Sequence, residues 1–263
     1  MKPLSQENYV SHNVLINGLE VKARYSQKTV DEILIPLLRH LTKLQRENQS
    51  RVLAMLAAAP GAGKTTLLSF LERLARENDE ISDIQVIGMD GFHRRQSYLY
   101  SHSVVRDGAE IPMSKIKGAP ETFDLAKLAD RIRHVAGGEK CGWPIYDRRL
   151  HDPVDDVITV DGDIILLEGN YLLLDEPGWR DLRKSADYTV LIRAEEGLLR
   201  KRLTDRKAHG MASYEEAEAF VEFSDMRNVR RCLHHSGRAD LTLEMTGDGE
   251  FSICSTGDCD VVY

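Results

Sequence analysis

Residues 51–66 read RVLAMLAAAPGAGKTT, and the fold follows from how this stretch divides. RVLAMLAAA is a nearly continuous apolar run of the length that suits a buried parallel strand. From Lys64 the sequence KTTLLSFLERLAREN places its apolar residues at helical spacing, so an amphipathic helix follows. Between them, Ala58-Ala-Pro60-Gly61-Ala62-Gly63-Lys64-Thr65 follows the phosphate-loop pattern G-x-x-x-x-G-K-[ST], with alanine in place of the first glycine. Gly61 and Gly63 let backbone N–H groups of the loop converge on phosphate oxygens, with Pro60, Gly61, Ala62, Gly63, Lys64, Thr65 and Thr66 as the nucleotide-binding candidates. Lys64 supplies a point charge for the β and γ phosphates, and Thr65 offers its hydroxyl to Mg²⁺. A Gly-rich tetrapeptide alone could be an ordinary turn. The strand before it, the helix after it and the pair Thr65-Thr66 point instead to nucleoside-triphosphate binding.

Working outward, IQVIGMD, DIILLEG and YTVLIRA are further buried-strand candidates, with helical patterns between Phe123 and Val135 and between Glu195 and Lys207. Strands alternating with helices predict an α/β, three-layer P-loop fold: a mostly parallel sheet with helices on both faces. NVLINGLEVKARY alternates around Asn17-Gly18 and predicts an N-terminal hairpin. Leucines and isoleucines from Ile33 to Leu44 then predict a helix that Pro36 kinks or restarts. ADLTLEMT and GEFSICS flank Gly247-Asp248-Gly249 and predict a second accessory hairpin. No linker separates these parts. We therefore expect one P-loop domain over residues 1–263: an extension at 1–50, a core at 51–235 and the C-terminal hairpin at 236–263.

A bound triphosphate serves switches, motors and transferases alike, so the deciding residues lie elsewhere. Met89-Asp90-Gly91-Phe92-His93 puts a carboxylate at the end of the second strand, where Asp90 can accept a hydroxyl proton; alternatively it caps a helix. DIILLEG ends in Glu168, placed as a residue attending Mg²⁺ would be. His93, beside the Asp90 segment, is a substrate-facing candidate.

MDGFH, KGAPETFD (117–124), PIYDRRLHD (144–152), LLEGN and LLRKRLTDRK follow the phosphate loop in an order that resembles the uridine kinase, phosphoribulokinase and bacterial pantothenate kinase superfamily, over about residues 51–229. The nearest resemblance is to its nucleoside/nucleotide kinase-like, fructose-transport-kinase-like branch. The resemblance implies MgATP as phosphoryl donor, Asp90 as general base, and Glu168 as the acid attending magnesium. It implies Glu121 as an acid on acceptor hydroxyls, and Tyr146, Asp147 and His151 as an acceptor pocket. That last motif usually continues with an arginine two residues after the histidine; Pro153 stands there, which argues against uridine or cytidine. Arg202 and Arg206 match the superfamily's lid arginines. One helical turn apart, they are expected to share a face and reach one anionic target. Asn228, in a late D-x-x-N stretch, is expected near the adenine.

The expected activity is transfer of the γ-phosphoryl group to a hydroxyl of a small metabolite: a nucleoside, a pantothenate-like compound, a sugar or a sugar phosphate. The alternative is a P-loop ATPase or nucleotide switch acting through a protein partner. A GTP switch would carry N-K-x-D, which is absent from the sequence, and neither alternative needs the acceptor-like PIYDRRLHD. A phosphorylated acceptor would need a cationic clamp, for which Arg94, Arg95, Arg148 and Arg149 are candidates. Lys plus Arg total 35 against 42 Asp plus Glu, a formal charge of −7, which gives no support for nucleic-acid binding. No apolar stretch approaches the ~20 residues of a membrane span, and the N-terminus lacks a signal h-region. The four cysteines form no metal-binding pattern; we expect reduced thiols in a cytoplasmic protein, with a Cys254–Cys259 pairing as the alternative. The hairpins leave a homodimer open, since they can pair between subunits or cover sheet edges.

Overall fold

The computed structural model describes residues 8–16, 19–106 and 108–254. The predicted N-terminal hairpin is present as β1 (Tyr9–Ile16) paired antiparallel with β2 (Leu19–Ser26); its Asn17-Gly18 turn lies outside the described residues. Ser26 caps one turn of helix, α1 (Gln27–Thr29), by accepting the Thr29 amide at 3.1 Å. A π-helical stretch, Val30–Leu34, leads into α2 (Ile35–Asn48). Pro36 sits in the first turn of α2, directly after the π-helical stretch, and the backbone stays helical through the junction, so Pro36 marks a change of helix type rather than a break.

The strand of the opening motif is β3 (Val52–Ala58), buried at every position, and α3 (Lys64–Arg76) follows it. Next come β4 (Gln85–Gly88), a 3₁₀ turn (Met89–Phe92) and α4 (Gln96–Ser101). Two small hairpins are inserted before the next core strand. They are β5 (Ser103–Arg106) with β6 (Ala109–Pro112), and, after α5 (Leu125–Ala136), β7 (Cys141–Asp147) with β8 (Asp152–Val160). The core resumes with β9 (Ile164–Gly169) and β10 (Tyr188–Ala194). Three helices follow, α6 (Glu196–Ala208), α7 (Tyr214–Phe223) and α8 (Asp225–His235), and then β11 (Leu241–Met245) and β12 (Phe251–Ile253).

The central sheet runs β12-β11-β10-β3-β9-β4, parallel except for β12. β3 therefore lies between a strand that precedes β10 in sequence and β10 itself, and the crevice where strand order reverses opens at its carboxyl end. The C-terminal pair corrects one expectation. It is a hairpin, but not an accessory one: β11 pairs in parallel with β10 from Val190↔Leu241 to Ala194↔Met245, and β12 then closes the sheet edge. The alternation in LTLEM reflects one buried face, with Leu243 and Met245 turned inward, and a parallel edge strand produces that as readily as a free hairpin.

The N-terminal hairpin packs on α3. Tyr25 meets Phe70 edge-on at 4.7 Å, and His12 lies 4.8 Å from the same ring. Glu250, in the β11–β12 turn, accepts from Ser26 N and Ser26 Oγ, both at 2.8 Å, and from Thr29 Oγ1 at 2.5 Å. Both hairpins are thus bound to each other within one chain. Among the described residues no helix is long and apolar enough to cross a membrane. Cys141 and Cys232 are free thiols, and Cys259 lies outside the described residues.

Candidate active site

The phosphate loop turns on two left-handed glycines, Gly61 (φ 86°) and Gly63 (φ 77°), a conformation that side-chain-bearing residues adopt only under strain. Gly63 precedes α3, and no side chain caps that helix, so its first N–H groups point out of the loop unpaired. Pro60 and Ala62 shape the turn, Lys64 and Thr65 open the helix with Thr65 exposed, and Thr66 is half-buried behind them. The Lys64 ammonium donates to the carbonyls of Ala58 (3.0 Å) and Ala59 (3.4 Å) and to Asn170 Oδ1 (2.5 Å). Asn170 follows β9 directly. Leu199 and Leu203 of α6 pack against the loop; a side chain at Gly61 would meet the Leu203 Cγ at 3.1 Å.

Register aligns the acids. Glu168 pairs with Leu56 of β3 on one side and Gly88 of β4 on the other, so it stands level with the strand ends beside the loop. Its carboxylate makes no hydrogen bond to another described residue and packs against Gly88. Removal from water pushes its carboxyl up to about 7; the Lys64 ammonium opposes that rise and the Asp90 carboxylate adds to it. Asp90 is exposed within the 3₁₀ turn just past β4, and the helix that follows, α4, is preceded by Arg95 and not capped by Asp90. That turn is held tightly. A side chain at Gly91 would fall 2.1 Å from the Pro144 carbonyl, and the buried Trp143 donates to the Gly88 carbonyl at 2.8 Å while meeting Phe92 edge-on.

The PIYDRRLHD stretch falls in the β7–β8 hairpin, which packs over this turn. His93 Nδ1 lies 2.8 Å from the Asp90 carbonyl oxygen, and its ring contacts Phe123 (3.9 Å between centroids) and Tyr146 (5.2 Å). Burial lowers the His93 pKa, against the nearby Asp90 carboxylate. Tyr146 accepts from Lys117 Nζ at 2.5 Å. Asp147 and His151 are at the hairpin tip. Asp147 Oδ1 accepts the amides of Arg149 (2.7 Å) and Leu150 (3.1 Å), which holds its carboxyl below the usual range. His151 is exposed with φ 56°, and its carbonyl, not its ring, takes the Lys117 and Gln96 donors. Glu121 has both oxygens occupied, by Arg106 (2.6 Å) and Arg231 (2.9 Å), and Arg231 also chelates Glu176. Burial works against the Glu121 charge, but Arg231 and then Arg106 outweigh it and hold the carboxyl below its ordinary value.

Two expectations about cations need correction. Arg202 and Arg206 do not converge on one target. Leu199 and Leu203 fix the rotation of α6 against the loop, so that Arg202 turns to Met245 and Gly249 while Arg206 is exposed near Asp225. The arginines proposed as a clamp are committed or displaced: Arg94 pairs with Asp124 (3.0 Å), Arg95 with Asp155 (3.2 Å), and Arg148 and Arg149 are exposed at the hairpin tip. Asn228, expected at the adenine, is buried in α8 with its amide nitrogen 3.9 Å from the position a side chain at Gly118 would take. Sequence reasoning missed Asn170, Arg106 and Arg231. LLEGN carried a signal for the first; nothing in a short window flags the other two.

Among the described residues no three His, Cys, Asp or Glu side chains converge as a metal cage. The unpaired Glu168 carboxylate and exposed Thr65 hydroxyl fit a divalent ion that arrives with phosphates rather than one held by protein alone.

No family model matches the chain. It is 41% identical over 241 residues to "Uncharacterized protein YggC" of Escherichia coli K12, spanning 91% of this chain and 98% of that one. It is 32% identical over 212 residues to "Putative uridine kinase C227.14" of Schizosaccharomyces pombe, spanning 75% and 85%. Among solved structures it resembles the "putative fructose transport system kinase" of Silicibacter sp. TM1040, with a TM-score of 0.65 and 29% identity over 77% of this chain and 98% of that one. The chain belongs to the P-loop small-molecule kinases of the uridine kinase, phosphoribulokinase and bacterial pantothenate kinase superfamily.

Proposed function

We propose that this kinase transfers the γ-phosphoryl group of ATP, as its magnesium complex, to a hydroxyl of a small metabolite, with Asp90 as the general base. The observation that carries this reading is the placement of Asp90: an exposed carboxylate with no hydrogen-bonding partner among the described residues, next to Glu168 at the strand ends that flank the phosphate loop. Asp90 takes the acceptor proton as the acceptor oxygen bonds to the γ-phosphorus and the bond to the ADP oxygen breaks. Lys64 and the loop amides hold the transferring phosphates, and catalysis is chiefly positioning and electrostatics. Thr65 and Glu168 would hold the magnesium ion, which neutralises phosphate charge. His93 and Tyr146, packed ring against ring at a tilt beside the Asp90 turn, are the side chains best supported as acceptor contacts. Arg206, exposed on α6, is free to approach the phosphates on closure. We assign Asp147 and Glu121 supporting roles, since their carboxylates are already engaged by the hairpin turn and by two arginines.

ADP release from MgATP, measured with a panel of nucleosides, pantothenate, sugars and sugar phosphates, tests this. One compound class should stimulate release, and Asp90→Asn should lower that rate by about 10²–10⁴-fold with nucleotide affinity nearly unchanged. Acceptor-independent hydrolysis that survives Asp90→Asn would favour a nucleotide switch or ATPase instead.

A further inference from the structure

A cavity of about 440 Å³ adjoins the phosphate loop on the side away from Asp90's hairpin, and the assigned phosphate and acceptor contacts leave it unexplained. Its floor is loop backbone and helix start, Ala62, Gly63 and Thr66. Gly63 has no atom within 4 Å of where a side chain would project, so the loop is open toward this space. One wall is the β11–β12 turn from Met245 to Phe251. The other is the N-terminal hairpin, which contributes Tyr9, Arg24 and Tyr25.

Two features show that the cavity is built for a ligand. Arg202 reaches into it, half-buried, with the Met245 sulfur as its hydrogen-bond acceptor at 2.9 Å and, among the described residues, no carboxylate in ion-pair contact, although Asp248 and Glu250 line the same cavity. Glu250 is engaged by Ser26 and Thr29, so the half-buried guanidinium has no direct ion pair among the described residues and would gain from a ligand that supplies π-density or negative charge. The second wall is also held in position. Glu250 bonds Ser26 and Thr29, Tyr25 stacks on Phe251 at 5.7 Å, and Arg24 lies 3.5 Å over the Tyr9 ring, giving a flat cation–aromatic surface. A nucleoside has the matching chemistry: a flat aromatic base for the guanidinium and ring surfaces, joined to phosphates that the adjoining loop binds.

We propose that the β1–β2 hairpin is a nucleoside-recognition element, with the base and ribose of the triphosphate lying between Arg202 and the Tyr9–Arg24 surface. This rests on the nucleotide-binding part of the proposed function, but not on any acceptor. The hairpin then acts as a specificity device of this chain rather than a covering for a sheet edge.

The test compares dissociation constants of MgATP and magnesium tripolyphosphate, by calorimetry, for the full-length wild type and Tyr9→Ala/Arg24→Gln. We expect MgATP to bind wild type at least about tenfold tighter than tripolyphosphate, and the double variant to lose most of that advantage while still binding tripolyphosphate. A retained advantage in the folded variant overturns the inference and leaves the kinase assignment standing. Failure of wild type to bind either ligand overturns both. Photolabelling of wild type with 8-azido-ATP gives a readout independent of variant folding. Label must appear within residues 9–25; its absence there overturns the inference.

Discussion

His93 shows how one residue joins stability to the candidate site. Its ring is packed between Phe123 and Tyr146, and burial lowers its pKa below 6.5 despite the Asp90 carboxylate. A histidine whose folded pKa is depressed contributes stability that is fully present above its unfolded pKa and is lost as pH falls below about 6.5. The unfolding midpoint should therefore drop between pH 7 and pH 5, and His93→Gln should flatten that drop. Part will remain, because burial lowers His12 in the same direction. An identical pH slope in the variant would mean that His93 titrates freely. The positions of Asp90 and Glu168 were legible because each closes an apolar run, and strand ends of a parallel sheet meet at one edge. It could not reveal that Glu121 is already occupied, since Arg106 comes from an inserted hairpin and Arg231 from a helix 110 positions downstream of Glu121.

At the scale of elements, local patterns were legible and rotations were not. Strand, loop and helix around Lys64 could be read because each depends on its own residues. The face that α6 presents depends instead on Leu199 and Leu203 packing against Gly61, which periodicity does not disclose; hence Arg202 and Arg206 part company. The same helices are fastened by an ion network: Arg200 and Arg230 each bond Glu196 and Glu222, joining α6, α7 and α8. Glu222 is 44% exposed, so solvent screens the network and its contribution to global stability should be small, below about 1 kcal/mol. Its effect should be local. Glu222→Ala should speed amide hydrogen exchange in α7 while barely moving the unfolding midpoint; unchanged exchange would show that the network does not restrain that helix.

For the whole molecule, the informative tie is between residues 224 positions apart, Ser26 and Glu250. Three donors converge on one carboxylate, so Glu250→Gln should cost about 1–3 kcal/mol and, by loosening the hairpin backbone, speed trypsin cleavage at the already exposed Lys22, Arg24 and Lys28. An unchanged melting temperature with an unchanged cleavage pattern would mean the hairpin is held by its aromatic contacts alone. The parallel order of the sheet was legible from alternating strands and helices, whereas β11 passed for a free hairpin because half-exposed strands share one pattern.

The contact between Gly91 and the Pro144 carbonyl has a mechanical meaning at this scale. With no side chain between them, the turn bearing Asp90 and the strand leading to Tyr146 touch backbone to backbone, without a compressible layer. The β7–β8 hairpin is then a lever with its fulcrum beside Asp90: a displacement of its tip is delivered to the Asp90 turn rather than absorbed by rotamers.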